Sequence, residues 1–293
     1  MTPASFFQRA LRRLDKTISS FFFIDQWVIM TAQAAGFNSL QWSMFHPIIP
    51  DKDRYWGDPF VLARDDRYYV FIEEKIYASG LGRIACLTLD REGRFLSNQV
   101  VLERPYHLSY PFIFEHDGGS YMIPETAGNR TIDLYRCVHF PDRWEFVKTL
   151  MTGIYAVDAT LLQYENRFWL FANVKEQGGS SLDALYIFYA PLGLLTNEWT
   201  AHPRNPVVKD IRSARPAGRI FMQDGKLIRP SQDSSRRYGY ALKFNRITKL
   251  DENDYAETAE SVFKPAGGNM LATHTFNQAG GLTVVDAIIR RRK

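Results

Sequence analysis

Asp58–Glu74 reads DPFVLARDDRYYVFIEE. A short apolar run, the polar pair Asp65-Asp66 and a returning run of aromatic and branched residues spell a β-hairpin. The same anatomy is written four more times, as Tyr110–Glu125 (YPFIFEHDGGSYMIPE), Asp158–Asn173 (DATLLQYENRFWLFAN), Pro216–Gln232 (PAGRIFMQDGKLIRPSQ) and Thr273–Ile288 (THTFNQAGGLTVVDAI). Their turns are Asp117-Gly118, Glu165-Asn166, Asp224-Gly225 and Gly280-Gly281. The units recur about every 50 to 60 residues, a period of propeller blades. Further strand-like pieces lie between them: Arg83–Leu89, Ile132–Arg136 and Leu185–Tyr189, the last two followed by Trp144 and Trp199. Four strands per unit, five times over, predict an all-β five-bladed β-propeller with a short N-terminal helix. Residues 25–293 form the propeller and residues 1–24 a basic amphipathic segment.

The bulk numbers agree. The chain has 293 residues, 45% hydrophobic and 14% aromatic, enough for a large core and weighted towards strand formers. The net charge of +4 is mild, and its excess gathers at the two ends. No basic stripe crosses the body, so nucleic acid is not an expected partner. Two cysteines, Cys86 and Cys137, make no disulfide framework, and the six histidines show no zinc spacing. No dinucleotide fingerprint, phosphate loop or serine elbow occurs.

Near the N-terminus, Ser20–Met30 (SFFFIDQWVIM) before Ala32-Gln33-Ala34 has the outline of a secretory signal, but Asp25 and Gln26 interrupt the apolar run. The run is too short to span a bilayer. Phe6, Phe7, Ala10, Leu11, Leu14 and Ile18 recur at helical spacing, opposed by Arg9, Arg12, Arg13 and Lys16. Such a helix either packs on its own domain or lies on an anionic membrane surface.

In a propeller the first strand of each blade runs nearest the axis, and the second returns to the same end. The register therefore gathers Asp58, Tyr110, Asp158, Glu73 and Glu125 round one funnel, with Asp233 just beyond. Clustered acids repel and push each other's pKa values apart, which suits glycosyl chemistry with one proton donor and one base. Ion pairing with nearby arginines is the alternative. Arg215, Arg219, Arg229 and Arg237 flank the fourth unit, and His107 and His274 flank the second and fifth. Arginine forks match phosphate and carboxylate, so they point to an anionic sugar or a nucleotide-sugar donor. Tyr110, Trp56 and Tyr238 are candidate stacking platforms. No cofactor or catalytic metal is required, although oxygen ligands suffice for a structural Ca²⁺ on the axis.

Six segments carry a family resemblance: Trp56–Phe60 (WGDPF), His107–Glu115 (HLSYPFIFE), Tyr121–Glu125 (YMIPE), Val157–Leu161 (VDATL), Arg229–Asp233 (RPSQD) and Thr273–Asn277 (THTFN). Together they resemble the N-terminal domain of the glucosamine inositolphosphorylceramide transferase family, which is similar to the five-bladed propellers of glycoside hydrolase family 43. The resemblance implies a general base on blade one, matched by Asp58, and a pKa-tuning acid on a middle blade, matched by Asp158. Glu125 is the candidate acid, although it falls on an earlier blade than is usual in those hydrolases. In the plant transferases a separate glycosyltransferase domain follows the propeller. The combined expectation is a glycosyltransferase-like enzyme at a cytoplasmic membrane face, using a sugar donor and a glycan or glycolipid acceptor. Asp58, Asp158 and Glu125 would be catalytic. Glu73, His107, Tyr110, Arg215, Arg219, Arg229, Asp233, Arg237 and His274 would bind substrate. Inverting hydrolysis and non-catalytic glycan binding are the rivals.

Overall fold

The computed structural model describes residues 22–33, 36–191 and 198–293. Five antiparallel sheets form the blades of a ring. Blade one is Arg54–Arg64, Arg67–Ile76, Gly82–Leu89 and Phe95–Leu102. Blade two is Ser109–His116, Gly119–Thr126, Thr131–His139 and Arg143–Thr152. Blade three is Ala156–Tyr164, Arg167–Val174 and Ala184–Pro191, with an outer edge of two short pieces, Thr200–Ala201 and Val208–Lys209. Blade four is Phe221–Gln223, Lys226–Asp233, Ala241–Leu250 and Tyr255–Phe263.

Blade five is made from both ends of the chain. Met270–Ala272 and Phe276–Ala279 pair with Leu282–Arg292, which pairs along its whole length with Phe23–Gln33, and His46–Ile48 forms the edge. The ring is thus closed by strand pairing between the termini. Strand begins at Phe23, inside the segment read from sequence as helical. The remainder of that helix lies outside the described residues.

All five hairpin turns have two residues, closing between Arg64 and Arg67, His116 and Gly119, Tyr164 and Arg167, Gln223 and Lys226, and Ala279 and Leu282. Both central residues have positive φ in every case, as at Asp65 (49°) and Asp66 (57°). This is the type I′ signature, whose twist matches that of the flanking strands. The turns lie at the end of the ring opposite the starts of the first strands.

The core lies between blades. Phe60, Phe71, Phe112 and Trp144 belong to one buried cluster spanning the first three blades. Trp169, Phe171, Ile220 and Ile247 fill the seam of blades three and four, Phe244, Phe276 and Val285 that of four and five, and Ile29, Val61 and Val70 that of five and one. Each such side chain contributes about 1.5–3 kcal/mol on burial. At the axis the first strands touch directly. Phe276 N–H donates to Ala217 O (2.8 Å), and a Cβ on Gly218 would sit 1.9 Å from Phe276 O. Only glycine permits that approach.

Candidate active site

Three first strands carry the same defect. Gly57 faces Glu73 and Phe60 faces Phe71, so one residue is extra; the pairs Ser109–Glu125 with Phe112–Ile123, and Val157–Asn173 with Thr160–Phe171, repeat it. Just inside each bulge stands a left-handed residue: Asp58 (φ 52°), Tyr110 (42°) and Asp158 (55°). That conformation costs a non-glycine residue about 1–2 kcal/mol. Bulges re-aim side chains, and here they bring Asp58 and Asp158 into one polar hub on the axis.

Asp58 is buried. Its Oδ1 accepts from Thr275 Oγ1 (2.9 Å) and lies 3.4 Å from His274 Nε2, and its Oδ2 accepts from Tyr110 N–H (3.2 Å). Burial pushes its pKa up to about 7; His274 opposes this, while Asp158, Glu73 and Asp286 reinforce it. Asp286 is fully buried and accepts the backbone N–H groups of Asp58 (3.0 Å), His274 (2.8 Å) and Thr275 (3.0 Å). Its Oδ2 lies 2.7 Å from His274 Nδ1. The imidazole is thus held between two carboxylates and stacked on Trp27 at 4.1 Å. Burial depresses its pKa, but Asp286 and Asp58 outweigh that and raise it to about 9.

On the other side, Asp158 accepts from Arg215 Nε (2.6 Å) and Nη2 (3.2 Å) and from Gln232 Nε2 (2.9 Å). The two-pronged pair neutralises both charges inside the hub. Glu125 is nearby, with Oε2 3.9 Å from Arg215 Nη2 and without a hydrogen-bond partner. Burial, then Asp158, holds its pKa well above the carboxylate range against the pull of Arg215. Glu125 is therefore held towards its protonated form, while Asp58 sits near its midpoint at neutral pH. One carboxyl group can give a proton and the other can take one.

Glu73 and His107 form a second pair at the rim. Gly82 N–H donates to His107 Nδ1 (2.9 Å), which places the ring proton on Nε2, 3.2 Å from Glu73 Oε1. Tyr55 Oη donates to the same oxygen (2.7 Å). Tyr238 is 42% exposed, edge-on to His274 and 5.1 Å from the Arg215 guanidinium. It is an aromatic ring at this site that a sugar could meet.

Several expected ligands lie elsewhere. Arg229 is sealed within blade four, paired through Nε and Nη2 with Glu257 (both 2.7 Å), so it holds no donor. Arg219 lies further down the axis, its Nη2 donating to Ile113 O (2.6 Å) and its N–H to Asn277 Oδ1 (3.0 Å). Tyr110 is fully buried, bridging Thr160 Oγ1 (2.8 Å) and Gly218 N–H (2.7 Å); it is floor, not a stacking platform. Trp56 packs inside and donates to Glu74 Oε2 (3.0 Å). Asp233 accepts the N–H of Ser235 (2.9 Å) in a local turn. Arg237 stays at the rim, 4.0 Å from Asp25. The buried His274 ring faces a carboxylate on each side, Asp286 at Nδ1 and Asp58 at Nε2, which suits it to position Asp58 rather than to bind substrate.

Sequence reasoning puts the segment near Asp286 at the end of the fifth return strand without giving it a role, and passes over Thr275 and Gln232. Counted from the two-residue turns, Gln232 stands at the return-strand position where units one, two and three carry Glu73, Glu125 and Asn173, and Asp286 lies two residues nearer its own turn. Among the described residues, Asp58, His274 and Asp286 gather ligand atoms within 4.8 Å of one another. Their lone pairs are largely taken by amides and imidazole, which does not fit the oxygen-rich shell of Ca²⁺.

Residues 50–268 match the family described as glucosamine inositolphosphorylceramide transferase 1, N-terminal. The chain belongs to this family. It is 33% identical over 234 residues to glucosamine inositolphosphorylceramide transferase 1 of Oryza sativa subsp. japonica, covering 75% of this chain and 31% of the relative. The Arabidopsis thaliana protein of the same name is 32% identical over 209 residues, covering 69% and 27%. The chain thus spans about a third or less of the curated relatives it matches. Among solved structures, Zg3597, a family 117 glycoside hydrolase of Zobellia galactanivorans, aligns with TM-score 0.57 at 11% identity over 90% of both chains. The GH43 endo-arabinanase of Bacillus licheniformis aligns with TM-score 0.56 at 11% identity, over 83% of this chain and 95% of that one. At such identity the likeness concerns the fold, and the five-bladed ring is common to them.

Proposed function

We propose that the chain is a carbohydrate-active enzyme that moves a sugar in glycan or glycolipid assembly. The observation that carries this is the gathering of Glu125, whose pKa burial and Asp158 push up, and Asp58, which titrates near 7, around the Asp158–Arg215 pair. Glu125 gives its proton to the departing oxygen as the anomeric bond breaks. Ionised Asp58 takes a proton from the attacking hydroxyl. Asp158 and Arg215 keep the field between them fixed, as preorganised charges do in a site shielded from water. The relatives are named as transferases acting on inositolphosphorylceramide, which supports a glycolipid acceptor and a transferred sugar.

A second reading, inverting hydrolysis of a neutral glycoside, is favoured by the arginines. Of the four expected to hold an anionic donor, only Arg215 faces the acids, and Asp158 already neutralises it. A donor diphosphate would depend on Arg237 at the rim. Parallel incubations separate the readings: nucleotide sugars with an inositol-phosphate glycolipid, and aryl glycosides in water, both followed by mass spectrometry. A glycosylated lipid supports transfer and released aglycone supports hydrolysis. Saturable sugar binding with neither product would remove the enzymatic reading.

A further inference from the structure

Strand direction fixes where the outer ends of the closing strand pair lie. Phe23 pairs with Arg292 and Gln33 with Leu282. Leu282 follows the hairpin turn at Gly280-Gly281, so Phe22 and Lys293 lie at the opposite end, beside the starts of the first strands. This is the end that carries Asp58, Asp158 and Glu125. Lys293 N–H donates to Phe22 O (2.9 Å), so the start of the closing strand and the last residue share one corner. The residues before that corner carry Arg9, Arg12, Arg13 and Lys16 among Phe6, Phe7, Leu11, Leu14 and Ile18.

The same end shows apolar side chains to solvent. Phe22 is 64% exposed, Tyr77 45% and Leu81 43%. They are continuous with the rim of the site. Tyr77 lies 6.1 Å from Tyr55, whose hydroxyl binds Glu73. Leu81 precedes Gly82, whose N–H binds His107. Arg291 acts electrostatically on Tyr77, and exposed Arg292, Lys293 and Arg237 complete the corner. Aromatic and aliphatic tips beside Lys and Arg are what an interfacial surface needs. The tips enter the boundary of headgroup and acyl chain, and the cations meet anionic lipid.

We propose that this site-bearing end docks on an anionic lipid bilayer, with the mouth of the carboxylate site facing the headgroups. The occupant is the membrane surface, chosen over a protein partner because cationic and apolar groups coincide at the corner where a basic amphipathic segment joins. The geometry lets a glycolipid headgroup rise into the site while its tails stay in the bilayer. That last clause rests on the proposed acceptor; the docking itself does not.

The test uses the full chain in a Cys137→Ser background, with an environment-sensitive fluorophore at Leu81→Cys or, at the opposite end beside the Asp224-Gly225 turn, at Met222→Cys. With phosphatidylserine-containing vesicles the label at position 81 brightens, shifts to the blue and is quenched by spin-labelled lipid. The label at 222 does not respond, and neutral phosphatidylcholine vesicles bind more weakly. Arg292→Glu with Lys293→Glu weakens binding by about fivefold or more per residue, from about 1 kcal/mol for each basic group. Phe22→Ser weakens it further at an unchanged melting temperature. No vesicle binding, an equal response at position 222, or wild-type affinity in the charge-reversed variant would each overturn the proposal. Docking without sugar chemistry would sink the enzymatic reading alone, and turnover of soluble sugars without docking would sink this one alone.

Discussion

Asp58 is where acid–base chemistry and packing meet. Its carboxyl titrates near 7 because burial disfavours the anion. If ionised Asp58 is the base, kcat/KM falls below about pH 7 as it protonates, and the upper limb belongs to Glu125. His274→Gln removes the cation that holds Asp58 down, so the lower limb moves to higher pH. A purely structural role for His274 would leave that limb in place. His274 also links pH to stability. Its folded pKa of about 9 exceeds the ordinary 6.5, so its contribution is full below pH 6.5 and is lost as pH rises through about 9. The loss is on the order of 3 kcal/mol. Urea midpoints at pH 6.5 and pH 9 should show the fall in wild type and a flatter response in His274→Gln.

At the scale of the element, the bulge is the device that builds the site. The sequence betrays it in the heads of the units, because Asp58, Tyr110 and Asp158 share one register and polar pairs mark every turn. Which way each bulged residue points is not legible there. Asp58 and Asp158 enter the hub, whereas Tyr110 runs down the axis to Thr160 and Gly218, since its ring finds Phe60 and Phe112 there. Arg229 illustrates a second limit. Its place beside the unit-four return suggests a pocket cation, but its partner Glu257 stands two strands outward, a contact that only the folded blade brings about. Arg229→Ala leaves Glu257 buried without a counter-charge and should cost about 3–5 kcal/mol. Calorimetry would register this as a lower melting temperature, with sugar affinity of the folded protein unchanged.

At the scale of the whole molecule, the hub ties the ring together. Asp286 links blade five to one, Tyr110 links blade two to three and four, and Arg215 links four to three. The clustered acids thus serve structure as well as chemistry, which is why sequence alone leaves ion pairing and catalysis both open. Ring closure depends on Phe23–Gln33, a strand that is hard to recognise in sequence because its hairpin partner is the far end of the chain. Val28→Pro puts a residue that fixes φ and cannot donate into the buried middle of that closure and should lower stability. Thermal unfolding followed by circular dichroism should remain one cooperative transition at lower temperature. A biphasic melt with four blades surviving would show that closure is local.

The central claim is that the axial carboxylates make or break a glycosidic bond. The most direct test compares turnover by wild type, Asp58→Asn and Glu125→Gln on the first sugar substrate identified, each checked for an unchanged fold. Both variants should still bind the sugar but lose at least about 10²–10⁴-fold in kcat, the usual share of a general acid or base. Turnover in Asp58→Asn equal to wild type would contradict the claim.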